Sequence, residues 1–149
     1  MFGKVVEDQV VLTTSGEVLM RHWDDLPNHY EIELDSHVVM PNHFHGIIII
    51  NDQSVGAIHE SPLLREQKVI KRRNMLLAKI IGRFKMKTAK EINLLRMKQG
   101  FPVWQRNYYE HIIRDDADLH RIRTYIKNNP LQWAIDEENP VYIRGQEEP

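Results

Sequence analysis

His37–Ile50 reads HVVMPNHFHGIIII. Its unbroken apolar run, Ile47–Ile50, predicts a strand buried on both faces and therefore central in its sheet. His43 and His45 stand at its start, separated by Phe44. Residues i and i+2 of a strand point to one face, with Cα atoms about 6.5–7 Å apart. Two imidazoles can thus converge on one divalent ion from a rigid support, although such a pair is more often packed or solvated. Pro41-Asn42 interrupts the segment. Val38–Met40 and His43–Ile50 are therefore expected to form one strand, kinked or bulged just ahead of the histidines.

Upstream, Tyr30, Ile32 and Leu34 alternate with Glu31 and Glu33. The pattern predicts a half-buried strand, Tyr30–Leu34, that leads through Asp35-Ser36 into the histidine segment. Lys4–Val6 and Gln9–Leu12 around Glu7-Asp8 predict a short hairpin. Thr14 or Ser15 can cap a helix running to about Leu26, with Val18, Leu19, Trp23 and Leu26 as its apolar stripe. Pro27-Asn28 ends that helix. Downstream, 51–62 (NDQSVGAIHESP) reads as a polar loop with His59 solvated. A long helix is expected from about Asn74 to Lys98, broken near Met86 if anywhere, and stopped by Gln99–Pro102. Leu77, Ile80, Ile81 and Phe84 share one of its faces. Lys79, Arg83, Lys87 and Lys90 cluster about 115° away at 100° per residue. A solvated helix normally interleaves acids as i,i+4 partners; their absence over two turns favours contact with phosphates. Val103–Arg114 reads as a strand or extended segment. Asp115 caps a last helix with Asp116 and Asp118 in its first turn, and Leu119, Ile122 and Ile126 form its core face. Asn128-Asn129-Pro130 is expected to end it. The tail from Asp136 has weak strand character at Val141–Ile143.

Length and composition narrow the classes. A chain of 149 residues suits one domain, 1–149, and 42% hydrophobic with 28% charged residues is ordinary for a globular protein. The absence of cysteine excludes disulfides and zinc-thiolate sites. No apolar run approaches the ~20 residues that span a bilayer, and no secretory signal is visible; a cytoplasmic protein without a membrane partner is expected. The net charge of −1 hides an uneven distribution. Arg65–Lys98 holds twelve Lys/Arg and two acids, a balance of +10, while the rest holds eight bases and nineteen acids, a balance of −11. A block this basic in an acidic chain points to a polyanion, nucleic acid first.

On the last helix Tyr125 and Asn129 lie four residues apart, on one face. Two neutral imidazoles and an amide oxygen make a three-ligand site with open positions, suited to Mg²⁺ or Mn²⁺ holding a phosphate. A tyrosine one turn away would bring its hydroxyl beside that phosphate, where a cation could stabilise the phenolate.

Four segments, VVMPNHFHGIIII (38–50), KIIGRFK (79–85), VWQRNYYEHIIR (103–114) and RIRTYIKNNP (121–130), occur in an order and spacing that resemble the single-tyrosine HUH transposases. The likeness is greatest to the REP-associated tyrosine transposases of bacteria and covers about residues 30 to 135. It implies an α+β fold, an antiparallel sheet of ferredoxin-like or RRM-like type flanked by helices, and cleavage and rejoining of single-stranded or hairpin DNA in transposition. His43 and His45 match the HUH metal ligands, Asn129 the polar residue that completes the site, and Tyr125 the catalytic tyrosine that forms a 5′-phosphotyrosine. Tyr108 and Tyr109 are rival tyrosines in a segment of structural and DNA-contacting groups. Arg106 and His111, with Lys79, Arg83, Lys87 and Lys90, are the candidate DNA contacts. The resemblance allows Tyr125 to complete its own site or that of a partner in a homodimer. Such proteins usually carry a further strand ahead of the position of Met1, beside the HUH strand, so the expected fold lacks that first strand. The rival functions are a truncated or domesticated non-catalytic binder of hairpin DNA, and a metal-dependent hydrolase of a small phosphoester. The latter leaves the +10 block unexplained.

Overall fold

The structure, a computed structural model, describes residues 1–50, 62–136 and 139, with the side chains of 62–74 excepted. Val5, Val10 and their neighbours form the expected hairpin. Strand β1 (Gly3–Val6) pairs antiparallel with β2 (Gln9–Leu12), with Val6 opposite Gln9 and Gly3 opposite Leu12. Glu7 and Asp8 both have positive φ, 48° and 61°, the backbone a two-residue hairpin turn requires. Helix α1 (Thr14–Asp24) follows at once. Its cap is Thr13 rather than Thr14 or Ser15: the Gly16 amide donates to Thr13 Oγ1 (3.4 Å), and the Thr13 amide donates to Phe2 O (2.9 Å). Gly16 is obligatory there, since a Cβ would stand 2.1 Å from Phe2 O. Val18, Leu19 and Trp23 are buried as expected. The chain then turns through a 3-10 segment, Leu26–Asn28.

The histidine segment departs from its reading. Strand β3 runs unbroken over Ile32–Val39, with Asp35-Ser36 inside it, and β4 over Phe44–Ile50. The two are arms of a hairpin rather than one kinked strand, closed by the Met40 amide donating to His43 O (2.9 Å). Pro41, with fixed φ and no N–H, begins a turn more readily than it sits within a ladder. Among the described residues β4 has β3 as its one neighbour, and its isoleucine run is not buried throughout: Ile47 is buried while Ile49, two residues on and on the same face, is 37% exposed.

The chain divides into two compact units, one of residues 1–20, 35–47 and 106–149, the other of 21–34 and 48–105. In the second, helix α2 spans Pro62–Leu95 without a break at Met86, starting earlier and ending sooner than expected. Its buried row is Ile80, Phe84, Thr88 and Ile92, while Leu77 and Ile81 are half-buried. Trp23 meets Phe84 edge-on with centroids 5.8 Å apart, and Trp104 lies 5.8 Å from Phe84 on a tilted contact. Thr88 Oγ1 donates to Phe84 O (2.8 Å) and accepts from Trp104 Nε1 (2.9 Å). No strand forms in 103–114: Trp104 spends its indole on the α2 core instead of a ladder.

In the first unit, helix α3 spans Asp116–Gln132, capped by Asp115, whose Oδ1 accepts from the Asp118 amide (2.8 Å). It continues through Pro130 to Gln132 and a 3-10 turn, Trp133–Ile135. Proline here removes one amide, near the helix end where the ladder is closing anyway, so the helix outlasts it by a turn. Ile126 is buried, with Leu119 and Ile122 half-buried. The 51–61 loop with His59 and the strand character at Val141–Ile143 lie outside the described residues. The described architecture is α+β, two small antiparallel sheets and three α-helices, compatible with the ferredoxin-like arrangement. No helix among the described residues is long and apolar enough to cross a membrane.

Candidate functional site

The turn at Pro41-Asn42 and the first residues of β4 put His43 and His45 on one face, with ring centroids 4.8 Å apart. Asn42 adds what the spacing alone does not: His43 Nδ1–H donates to Asn42 Oδ1 (2.9 Å). That bond selects the tautomer with the ring's lone pair on Nε2. His45 is pushed down to about 4, by burial first and by the neighbouring His43 second, with Asp136 opposing. Its ring is therefore neutral at physiological pH.

Helix α3 brings the next pieces. The Tyr125 ring meets His45 edge-on, with centroids 5.4 Å apart. Tyr125 is 49% exposed, so the phenol is open to a substrate. One turn on, Asn129 is 2% exposed and its Oδ1 accepts no hydrogen bond among the described residues. A buried amide oxygen without a donor costs about 1–3 kcal/mol, which a cation or an ordered water at that oxygen would offset. A further turn on, Trp133 stands 6.0 Å from His43. Tyr125, Asn129 and Trp133 thus recur at i, i+4 and i+8, a spacing that could have singled out Trp133 beforehand. Asp136 offers no such signal; its charge reaches His45 through the turn whose Asp136 amide donates to Trp133 O (3.3 Å).

The helix is tied to β3 two residues before Tyr125. Arg123 Nε donates to Asp35 Oδ1 (3.0 Å), and Nη2 bonds Oδ2. This guanidinium holds the Asp35 carboxyl well below the usual carboxylate range, against the effect of burial. Beside the pair lies an open groove of about 620 Å³, lined among others by His37, His120, Arg123 and Lys127.

Among the described residues no three His, Cys, Asp or Glu side chains gather as a metal cluster. A divalent cation here would rest on the His43 and His45 imidazoles and the Asn129 amide oxygen. These donors fit: both rings offer lone pairs, and the amide oxygen is buried and undonated.

The other candidates lie elsewhere. Of the rival tyrosines, Tyr108 is shifted up by burial and by Glu110, which disfavours its phenolate, and Tyr109 is 91% exposed. His111 Nε2 lies 2.7 Å from Asp118 Oδ2 at the start of α3, about 10 Å along the axis from Tyr125. Arg106 is exposed. Lys79, Arg83, Lys87 and Lys90 belong to the α2 unit, with Lys79, Lys87 and Lys90 exposed and Arg83 half-buried.

No protein-family model and no solved structure matches the chain. It is 34% identical over 139 residues to a Haemophilus influenzae protein named "Uncharacterized protein", covering 92% of this chain and 76% of that one. The two belong to one family, to which that name assigns no activity. The chain is also 27% identical over 110 residues to a Haemophilus influenzae protein named "Putative REP-associated tyrosine transposase". That match covers 73% of this chain and 55% of the relative.

Proposed function

We propose that this chain is a transposase-like enzyme that cuts and rejoins single-stranded DNA with Tyr125 as nucleophile. One observation carries the reading: the Tyr125 ring lies against His45, which lies against His43, on a helix whose next turn holds an undonated, buried amide oxygen. The partial likeness to a protein named as a REP-associated tyrosine transposase supports it.

In this reading Tyr125 Oη attacks the scissile phosphorus. The Oη–P bond forms as the P–O3′ bond breaks. The phenol gives up its proton and the departing 3′ oxygen takes one, leaving a 5′-phosphotyrosine and a 3′-hydroxyl. Attack by a 3′-hydroxyl from another strand end reverses these steps, so no external energy source is needed. Mg²⁺ or Mn²⁺, when bound by His43, His45 and Asn129, supplies polarisation of a non-bridging phosphate oxygen. Asn42 keeps His43 in the ligating tautomer, and burial keeps His45 unprotonated. The groove with His37, His120, Arg123 and Lys127 receives flanking backbone. Arg106, His111 and the α2 residues Lys79, Arg83, Lys87 and Lys90 add contacts to phosphates.

The test is incubation with labelled hairpin DNA and Mg²⁺ or Mn²⁺, reading a covalent adduct on a denaturing gel. Tyr125→Phe is expected to form none, while Tyr108→Phe and Tyr109→Phe keep it. An adduct that persists in Tyr125→Phe overturns the nucleophile. Salt-sensitive DNA binding by the wild type without cleavage replaces the enzyme with a non-catalytic binder.

A further inference from the structure

Within the α2 unit, the 3-10 turn Leu26–Asn28 and the facing side of α2 line a pocket. Its volume is about 70 Å³, and Leu26 and Phe84, both buried, are its apolar lining. Its charged and titratable groups are His22, Asp25, His29, Arg83 and Lys87. Each acid is already engaged. Asp25 Oδ1 accepts from Asn28 Nδ2 (3.0 Å), and Asp25 Oδ2 lies 2.9 Å from His29 Nε2. Glu91, beyond the rim, is bonded by Arg21 and lies 2.8 Å from His22 Nε2. The two strong cations are not: among the described residues neither Arg83 nor Lys87 pairs with a carboxylate. Arg83 Nη2 lies 3.3 Å from His29 Nε2, so the guanidinium stands at the pocket.

Arg83 and Lys87 are an i,i+4 pair of like sign, which destabilises a helix unless an anion lies between them. Their apolar floor lowers the local dielectric and strengthens any such anion's hold. Nucleoside-sized ligands occupy pockets of ~300–1,000 Å³, so this one admits a single small group. We infer that the pocket docks one backbone phosphate of single-stranded DNA, gripped by Arg83 and Lys87 with His29 alongside. The inference rests on the DNA-binding part of the function proposed above and localises it: two of the four α2 cations grip, and Lys79 and Lys90 lie outside the pocket.

Two measurements on the full chain test it. In the first, inorganic phosphate is titrated into the wild type and the NMR signals of 22–29 and 83–87 are followed. Saturable shifts that chloride at equal ionic strength does not reproduce are expected; shifts equal in both salts overturn the pocket. In the second, oligo(dT) affinity is read by fluorescence anisotropy. Arg83→Gln and Lys87→Gln are each expected to weaken binding about tenfold, as loss of a charge-assisted phosphate contact does, against less than about threefold for Lys79→Gln and Lys90→Gln. Equal losses at all four positions overturn the pocket and leave DNA binding by α2 standing. A 5′-phosphorylated oligonucleotide that binds more than about tenfold tighter than its unphosphorylated form overturns the backbone assignment in favour of a terminal phosphate. Failure of the wild type to bind oligo(dT) at all overturns both this inference and the DNA reading it rests on.

Discussion

Thr88 on α2 and Asn129 on α3 are both buried, at 0% and 2% exposure, and both carry a side-chain oxygen. Thr88 Oγ1 is fully used: it accepts from the Trp104 indole and donates to the Phe84 carbonyl. Asn129 Oδ1 accepts nothing among the described residues. Around Thr88 lie the edge-on and tilted ring contacts of Trp23, Phe84 and Trp104. Around the histidines lie an exposed phenol and a half-buried imidazole kept neutral. The Thr88 hydroxyl is satisfied within the chain and stabilises the fold. The Asn129 amide leaves acceptor capacity open, as the proposed cation site requires.

The sharpest attempt to break this contrast is Tyr125→Phe. Removing a half-exposed hydroxyl should leave the melting temperature nearly unchanged, while adduct formation falls by at least about 10³-fold. A matching loss of stability would return Tyr125 to a packing role. Next is Asn129→Leu, which removes an undonated oxygen at similar volume. Urea denaturation without metal should show stability unchanged or raised by about 1 kcal/mol, and Mn²⁺ affinity by calorimetry should fall at least about tenfold. The same kind of substitution on the other side, Thr88→Val, should have the opposite sign. It strips the Trp104 indole of its acceptor and should cost about 1–3 kcal/mol, read from the urea midpoint. If both variants move stability in one direction, the distinction between the regions fails.

The last test is a pH slope. Folding lowers His45 from 6.5 to about 4, so between those values the unfolded chain binds more protons and stability rises with pH. The contribution is complete above about 6.5 and is lost as pH falls toward about 4. Asp35, held down by Arg123, acts in the same direction but only below its ordinary 3.8. In EDTA, the urea midpoint of the wild type should climb through this window, and His45→Gln should flatten the climb. An unchanged slope would show that His45 is not the titrating group.

What could be read in the residues was local. The Glu7-Asp8 hairpin, the Asp115 cap, the shared face of His43 and His45, and the one-turn step from Tyr125 to Asn129 all follow from backbone geometry spanning a few residues. The misreadings have a common origin. Four consecutive isoleucines look alike to any periodicity argument, and the number of neighbouring strands that would cover both faces is not written in them. Likewise Thr88 interrupts the apolar pattern of α2, so its burial became visible only through Trp104, sixteen residues away.

Chain chemistry therefore specified which groups are available, their spacing along each element, and a strongly basic helix in an acidic protein. It did not specify that β3 and β4 fold back on each other, which tyrosine meets His45, that Asn42 chooses the tautomer of His43, or that Trp133 and Asp136 join the cluster. Tyr125 and His45 are eighty residues apart, and their approach depends on how α3 packs, with Arg123 bound to Asp35 as one tie. Contacts at that separation depend on burial and pairing summed over the folded chain, and no window of neighbouring residues contains that sum.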